Sequence, residues 1–473
     1  LQADFNSSYL MIMLCSILFN YAVFCGLGKL GGQEGKGRLR QRKLLFLLGI
    51  GCNLAVLFYF KYFDFFIENI NTAFGKSLPL KGILLPLGIS FFTFQQIGFL
   101  ADAYRGELKK CSFSNYALFV SFFPQLIAGP IVNHQEMMPQ FSRIGRKRAD
   151  GEKITAGVFL FTLGMVKKVL VADTFGKSVD WGYRNIPSLS GVDAALVIVY
   201  YALQIYFDFS GYCDMARGLG WMLGLDIPVN FRSPYKATNI VEFWRRWHIT
   251  LSRFFRKYVY IPLGGNRKGR AKMFCNMFLV FFLSGFWHGA GWTFIIWGVA
   301  QGVLYLITRA WQLRREEQRA VQTAEGQKEE AIASSKGKIR FVSVCGTAFT
   351  SLFFCGVCVF FRSDTVSQAL EMLGRLMGGG LALPAEGITQ NFNLDEFWYV
   401  MKLLRADRLP GSQMYLCALI TAGTLFVVFA APNADEMTAR FRPAPWTAVF
   451  MALLLLWCVF SMAGVSSFLY FNF

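Results

Sequence analysis

The chain has 473 residues, of which 54% are hydrophobic and 16% are charged, and fifty of them are phenylalanine. Apolar runs of about 20 residues recur along it, the length that an α-helix needs to cross a bilayer. The formal charge of +19 could indicate nucleic-acid binding. The lysines and arginines, however, fall in short loops between apolar runs, as they do in membrane proteins. We therefore predict a polytopic protein that is embedded in a lipid bilayer. We expect it to bind no nucleic acid.

We expect an all-α fold, a bundle of about eleven apolar segments, because backbone amides in lipid must pair within their own helix. These segments lie near residues 9–27, 44–68, 83–103, 116–133, 154–172, 191–212, 273–288, 292–308, 338–361, 412–431 and 445–470. The basic loops 29–43, 213–272 and 309–340 are expected on the cytoplasmic side. We predict one membrane-embedded domain over residues 1–473, with a polar cytoplasmic linker at about 311–337. Because the chain starts at Leu1 rather than Met, we expect an amino-terminal piece to precede it.

The segment 116–133 does not fit the alternation of membrane sides. Basic residues flank it on both sides, and these are Arg105, Lys109 and Lys110 before it and Arg143, Arg146, Lys147 and Arg148 after it. Pro124 and the Gly129-Pro130 pair interrupt helical hydrogen bonding within it. We predict a re-entrant segment that enters the membrane and returns, with a short kinked span as the alternative.

The segment EFWRRWHITLSRFFRKYVYIPL carries helix signals. Asn239 followed by Glu242 is typical of a helix N-cap and its capping-box partner. Apolar side chains recur on one face at helical spacing, namely Phe243, Trp247, Leu251, Phe254 and Tyr258. Basic side chains occupy the opposite face, namely Arg245, Arg246, Arg253, Arg256 and Lys257. We predict one amphipathic helix at the cytoplasmic surface of the membrane.

His248 lies within this predicted helix and is one of only three histidines in the chain. Trp244 at i−4 and Leu251 at i+3 place it on the apolar, protein-facing side. A buried histidine at such a position serves either in chemistry or as a core residue bonded to a backbone carbonyl. Both interpretations stay open on spacing alone.

His288 ends the next apolar segment, where an ionisable side chain is costly and often functional. Ser284 and Gly285, at i−4 and i−3, are small and are expected to leave room for a substrate beside the ring. Gly289 and Gly291 then interrupt the helix, so His288 is predicted at a helix break. The alternative is a histidine that serves only in helix packing.

Asp208 stands in an apolar span and therefore needs a partner, since an uncompensated carboxylate there costs about 2.5 to 3.5 kcal/mol. We expect Arg217, Arg245, Arg246 or a histidine to pair with it, in a structural ion pair or a catalytic one.

The glycine-rich turn IPLGGNRKG, from Ile261 to Gly269, lacks the pattern of a phosphate-binding loop. Its basic end could contact an anionic acyl donor or lipid headgroups.

The eleven cysteines do not indicate a metal or redox site. Cys355 and Cys358 form a CxxC pair, but it lies inside an apolar run with no histidine near it. Buried cysteines commonly act as small apolar residues. We therefore predict no metal site and no bound cofactor.

Several motifs together resemble the membrane-bound O-acyltransferase superfamily. They are YFDFSGYCDMARGLG, NFRSPY, NIVEFWRRWHITLSRFFRKYVYIPLGGNR, SGFWHGAGWTFIIWG and the terminal FLYFNF. The nearest branch contains the alginate O-acetyltransferase membrane subunit and the D-alanyl transferase of teichoic acids. The resemblance runs from about Leu85 to the carboxyl terminus and is most specific over residues 206–298. The amino-terminal helices expected in this branch are incomplete here.

The resemblance implies a multi-pass plasma-membrane enzyme whose helices surround a central channel. His288 would be the essential intramembrane histidine, acting as general base, and His248 the second histidine, near the cytoplasmic mouth. The co-substrate would be an acyl thioester, either acetyl-CoA or an acylated carrier protein. The acceptor would be an exported cell-surface polysaccharide such as alginate, reached directly or through an extracytoplasmic acyltransferase partner protein.

We expect further residues of the diagnostic region to serve these substrates. The candidates for lining the channel are Asp208, Asn239, Trp244, Ser284 and Trp287, and the basic candidates for docking the donor are Arg245, Arg246 and Arg267. Acetyl transfer is the favoured reaction, and D-alanyl transfer from a carrier protein to teichoic acid is its alternative. A proton-coupled transporter that uses Asp208 and His288 as a relay, or a scaffold of a secretion complex, would be different classes of protein.

Overall fold

The computed structural model describes residues 7–31, 36–127, 129–144, 149–324, 336–392, 402, 405, 411–464 and 468–469. All regular secondary structure in these ranges is helical, which confirms the predicted all-α fold. The chain folds into two compact units. The first comprises residues 1–161, 215–228 and 470–473, and the second comprises residues 162–214 and 229–469. The description of the chain as one acyltransferase domain stays a prediction.

The first unit contains most of the amino-terminal helices. They are α1 (Ser7–Leu30), α2 (Lys36–Leu57), α3 (Phe63–Phe74), α4 (Ile89–Arg105), α5 (Phe113–Ser121), α6 (Phe123–Leu126), α7 (His134–Ile144) and the first part of α8 (Gly151–Met165). A π-helical turn, Phe58–Tyr62, joins α2 to α3.

Polar side chains join α1, α2 and α4 in their apolar interior. Asn20 and Asn53 exchange amide hydrogen bonds of 3.1 and 2.6 Å, and Asn20 also donates to Gln96. Such bonds hold helices together where apolar contact alone gives little preference over lipid.

The predicted segment 116–133 is broken, as its prolines and glycine indicate. α5 has nine residues and so is about 13 Å long, too short to cross a bilayer core of about 30 Å. Phe122 is extended at φ −62° and ψ 102°, and the single turn α6 follows it. A single straight crossing is therefore excluded by the backbone, and the re-entrant path stays a prediction.

The second unit contains the remaining helices. They are α9 (Asp173–Arg184), α10 (Gly191–Met222, of which residues 215–222 belong to the first unit), α11 (Ile240–Arg246), α12 (Ile249–Phe255), α13 (Arg270–His288), α14 (Trp292–Ala324), α15 (Lys336–Arg362), α16 (Val366–Gly378), α17 (Glu386–Thr389), α18 (Ser412–Phe429), α19 (Ala434–Arg440) and α20 (Pro445–Phe460). π-Helical turns follow α8 at Val166–Ala172 and α12 at Arg256–Tyr260. Single 3₁₀ turns lie at Ile186–Ser188, Pro234–Lys236, Gln390–Phe392 and Ser461–Gly464.

Seven helical stretches of the described chain are long and apolar enough to cross a membrane. They are Tyr9–Leu30, Lys36–Phe74, Gly151–Arg184, Gly191–Met222, Trp292–Val321, Phe341–Arg362 and Ser412–Phe429. These stretches correspond to predicted segments and confirm a polytopic helical protein. The predicted linker 311–337 begins as helix, because α14 continues to Ala324. Residues 325–335 of that linker lie outside the described residues.

Helices α13 and α14 pack closely through two glycines. A Cβ atom added to Gly298 would lie 2.7 Å from the carbonyl oxygen of Phe281 and 2.9 Å from the Cα atom of Gly285. A Cβ atom added to Gly285 would lie 2.5 Å from the carbonyl oxygen of Phe294. Only glycine allows the two backbones to approach this closely, as at many helix contacts in membranes.

We predict that Gly298→Ala lowers the free energy of unfolding by about 1 to 3 kcal/mol, because the added methyl group must push two packed backbones apart. Gly356→Ala is the matched control, since Gly356 is also helical and a Cβ there meets nothing within 4 Å. That variant should be neutral or more stable by up to about 1 kcal/mol. Thermal unfolding of the purified variants in detergent measures both changes, and equal stability of the two would contradict the packing described here.

Candidate active site

His248 lies at a break between two short helices. α11 ends at Arg246, α12 begins at Ile249, and His248 has left-handed backbone angles of φ 44° and ψ 52°. The prediction of one continuous amphipathic helix is therefore wrong. The prediction that His248 faces the protein is confirmed, because the residue is fully buried. A non-glycine residue in this conformation costs about 1 to 3 kcal/mol and persists only where its surroundings hold it.

The start of α11 follows the predicted capping pattern in part. The side chain of Asn239 accepts a 3.0 Å hydrogen bond from the Glu242 amide, as expected of an N-cap. Glu242 accepts instead from the backbone and hydroxyl of Thr238, at 2.9 and 3.0 Å. It also pairs with Arg246, one turn further along α11. Arg246, the last residue of α11, is thus paired with a residue of its own helix.

Asn230 holds the start of α12 from a different segment of the chain. Its backbone carbonyl accepts a hydrogen bond from the Ile249 amide at 3.0 Å. Its side-chain oxygen accepts from the Thr250 amide at 3.2 Å and the Thr250 hydroxyl at 2.9 Å. The same oxygen lies 3.2 Å from His248 Nδ1. His248 Nδ1 is therefore bonded to a side-chain amide, whereas the structural alternative has it bonded to a backbone carbonyl.

Burial lowers the pKa of His248 to about 3. Taking a charged imidazolium out of water is unfavourable, and the ring is therefore neutral at physiological pH. His248 accordingly supplies no positive charge to attract an anionic donor. It retains one nitrogen that donates a hydrogen bond and one that accepts.

His288 ends α13 and lies in an aromatic cluster. Its ring centroid is 5.2 Å from those of Trp297 and Phe361, 4.9 Å from that of Trp287 and 6.4 Å from that of His248. The two histidines predicted from the sequence are thus neighbours, and both are buried. The helix break after His288 is confirmed, since α14 begins at Trp292. The space beside Gly285 is not free, however, because Gly298 fills it.

A cavity of about 600 Å³ lies near this pair of histidines, and neither of them is part of its lining. It is lined by Val241, Trp244, Arg245, Ile249, Leu251, Ser252, Arg253, Phe255, Arg256, Tyr260, Met277, Val280, Phe281, Ser284, Tyr305 and Arg309. Ser284 lies one helical turn before His288. Trp244 donates its indole N–H to Gln301 at 3.2 Å and contacts Trp297, whose ring contacts His288. One aromatic layer therefore separates the cavity from His288.

Four arginines give the cavity wall a strong positive charge, namely Arg245, Arg253, Arg256 and Arg309. The sequence prediction includes Arg245, Trp244 and Ser284 among the functional candidates, and these residues do line the cavity. Arg246, Arg267 and Asn239 are not part of its lining. Such a basic cavity suits a substrate that carries phosphate or carboxylate groups.

Comparison with known proteins identifies the family. Residues 100–323 match the family model for membrane-bound O-acyltransferases. The whole chain aligns at 36% identity with 89% of a peptidoglycan O-acetyltransferase from Helicobacter pylori. It also aligns over 96% of its length, at 35% identity, with 89% of a probable alginate O-acetylase from Pseudomonas putida. The chain belongs to the membrane-bound O-acyltransferase family. It is therefore a multi-pass membrane enzyme that transfers acyl groups to oxygen.

A more distant relative matches about half of this acyltransferase. Half of the chain aligns at 28% identity with 60% of a teichoic acid D-alanyltransferase from Streptococcus thermophilus. The branch of the family named from the sequence motifs is thus confirmed. The individual roles predicted for the site residues remain predictions.

Asp208 belongs to a buried ion cluster of the acyltransferase rather than to the cavity lining. Lys168 Nζ lies 2.7 Å from Asp208 Oδ1 and 2.8 Å from Asp173 Oδ1. The Leu469 amide donates to Asp208 Oδ2 at 3.0 Å, and Lys168 Nζ lies 4.7 Å from the centre of the Phe468 ring. The prediction of an arginine or histidine partner is wrong. Lys168 stands within the long apolar run 154–172, where the sequence pattern gives no sign of a cationic partner.

Other polar residues of the site also lack a signal in the sequence. Asn230 and Gln301 look like ordinary polar residues of a loop and a helix, and only the fold brings them to His248 and Trp244. Arg309 is separated from Arg245 by more than sixty positions, so their common cavity could not be read from spacing. Arg256, by contrast, belongs to the basic face that the helical pattern already indicated.

We predict that Lys168→Met lowers the free energy of unfolding by about 3 to 5 kcal/mol, because it leaves two carboxylates buried without their cation. Lys177→Met is the control, since Lys177 is exposed on α9 and should change stability by less than about 0.5 kcal/mol. Thermal unfolding in detergent compares the two. A stable Lys168→Met protein would show that the cluster contributes little to folding.

Proposed function

We propose that this enzyme is a bacterial plasma-membrane O-acetyltransferase that serves an exported cell-surface polysaccharide. The observation that carries the proposal is the pair of buried histidines, whose ring centroids are 6.4 Å apart, near a cavity with a basic wall. Two relatives named for O-acetyl transfer align over 100% and 96% of the chain at 36% and 35% identity, whereas the D-alanyltransferase aligns over half of it at 28% identity. Acetyl is therefore favoured over D-alanyl as the transferred group.

The donor in this proposal is a thioester that docks from the cytoplasm. The cavity is bounded by α11, α12, α13 and α14. The basic loops that flank these helices favour a cytoplasmic position for its open side by the positive-inside rule. The phosphates of acetyl-CoA or of a carrier protein's prosthetic arm would pair with Arg245, Arg256 and their neighbours. The thin pantetheine arm would then extend along Ser284 and pass the aromatic layer of Trp244 and Trp297 to reach His288. No large donor-binding domain is needed for this arrangement.

The chemistry is acyl transfer assisted by a general base. His288 accepts the proton of the acceptor hydroxyl as its oxygen attacks the thioester carbonyl carbon. The new C–O bond forms, the C–S bond breaks, and the proton passes to the departing thiolate. The surrounding aromatic side chains exclude water, which would otherwise hydrolyse the thioester.

The acceptor would approach from the extracytoplasmic side, because His288 is at the end of α13 remote from the basic amino-terminal end of that helix. Its hydroxyl belongs either to the glycan itself or to a partner acyltransferase protein outside the membrane. A serine hydroxyl on such a partner and a sugar hydroxyl need the same base. The proposal therefore covers direct and relayed transfer.

We predict that His288→Ala lowers kcat by at least about 100-fold, the lower end of the usual contribution of a general base. The assay follows labelled acetyl-CoA, and in parallel a D-alanyl carrier protein, with the enzyme in nanodiscs. His134→Gln is the histidine control, because His134 pairs with Asp102 in the first unit. It should stay within a few-fold of wild type. Full activity of a folded His288→Ala enzyme would overturn the assignment of the base.

We predict that Arg245→Gln and Arg256→Gln each raise KM for the donor about tenfold, equivalent to about 1.4 kcal/mol, with kcat changed much less. Arg267→Gln is the matched control, since Arg267 is equally basic and exposed but lies outside the cavity lining. The effect should shrink at high salt, where charges are screened. An equal rise in KM for Arg267→Gln would place the donor elsewhere on the basic surface.

A further inference from the structure

The contacts of Asn230 determine which nitrogen of His248 carries the proton. Asn230 is 1% exposed, and its side-chain oxygen lies within hydrogen-bond distance of three groups, the Thr250 amide, the Thr250 hydroxyl and His248 Nδ1. Its side-chain nitrogen donates to Cys213 Sγ at 3.3 Å. Both the oxygen and the nitrogen of the Asn230 side chain are thus held by hydrogen bonds.

The Thr250 backbone amide settles the orientation of the Asn230 side chain. A backbone N–H can only donate, so the Asn230 atom that faces it must be the carbonyl oxygen rather than the NH₂ group. A reversed amide would put two donors against each other at a buried helix start, where an unsatisfied N–H is unfavourable. His248 Nδ1 therefore faces an acceptor.

We propose that Asn230 is a positioning residue that holds His248 as the Nδ1–H tautomer and leaves Nε2 as its accepting nitrogen. An acceptor at 3.2 Å requires a proton on Nδ1. A neutral imidazole carries only one ring proton, so Nε2 then carries the lone pair that can accept a hydrogen bond or a proton. The lowered pKa of His248 agrees with a neutral ring.

This tautomer restricts the role of His248 in acyl transfer. This part of the inference rests on the proposed function. The single N–H of His248 is committed to Asn230 and cannot donate to the thioester carbonyl oxygen. His248 is therefore not the group that stabilises a developing oxyanion. Nε2 can accept from an O–H or N–H of the bound substrates, such as an acceptor hydroxyl or a pantetheine amide.

The tautomer can be measured without any enzymatic assay. The chain has only three histidines, so ¹⁵N labelling of histidine rings gives a small set of nitrogen resonances. The His134→Gln and His288→Gln variants assign those of His248. We expect, at neutral pH, a protonated Nδ1 and an unprotonated Nε2 for His248. A protonated Nε2 in the wild-type protein would overturn the proposal.

Two variants at the same oxygen separate tautomer control from general packing. Asn230→Leu removes the acceptor, so the proton of His248 should redistribute between the two ring nitrogens. Thr250→Val removes one hydrogen bond to that oxygen but keeps the backbone N–H, so the tautomer should stay unchanged. An unchanged tautomer in Asn230→Leu would show that another group sets it. If Asn230→Leu does not fold, the wild-type spectrum alone decides.

Activity gives a second readout that tests the link to function. Asn230→Leu should lower kcat at least tenfold with the donor KM changed less, while Thr250→Val stays within about twofold of wild type. The two failures are distinguishable. The expected tautomer without any acyl transfer in the wild-type enzyme would overturn the proposed function only, whereas active enzyme with a protonated Nε2 would overturn the role of Asn230 only.

Discussion

The hydrogen bonds from Asn230 to the start of α12 are the interaction on which the site depends. Without them the break at His248 would bury unpaired backbone amides next to a strained left-handed residue. With them, the chain can end α11, turn at His248 and start α12 entirely inside the protein. The turn buries the imidazole beside Trp287 and 6.4 Å from His288. In a single continuous helix, His248 would instead lie on the protein-facing side of a helix at the membrane surface.

Close backbone packing between α13 and α14 positions His288. Gly285 and Gly298 allow α13 and α14 to pack closely. The aromatic rings of Trp297 and Phe361 contact His288. The basic side chains Arg245 and Arg309 remain at the wall of the neighbouring cavity. A dry aromatic layer around His288, the proposed base, and a positively charged approach to it suit the proposed acyl transfer from an anionic thioester.

Much of this could be predicted from the sequence, and the failures have physical causes. Hydropathy located the long helices, and the motifs around His248 and His288 identified the family. Periodicity could not show the break at His248, because the bonds that stabilise it come from Asn230, outside the amphipathic pattern. Lys168, the partner of Asp208, was hidden within an apolar run. Small residues beside His288 suggested an open space, whereas Gly285 serves close packing with Gly298.

Photo-crosslinking of the donor tests the central claim most directly. The probe is a thioether analogue of acetyl-CoA with a diazirine in place of the acetyl group, applied to the enzyme in nanodiscs and mapped by mass spectrometry. We expect labelling of the cavity residues on α11 and α13, such as Trp244, Met277 and Ser284, which excess acetyl-CoA prevents. Competed labelling confined to another surface, such as the apolar groove lined by Val192 and Met377, would contradict the account.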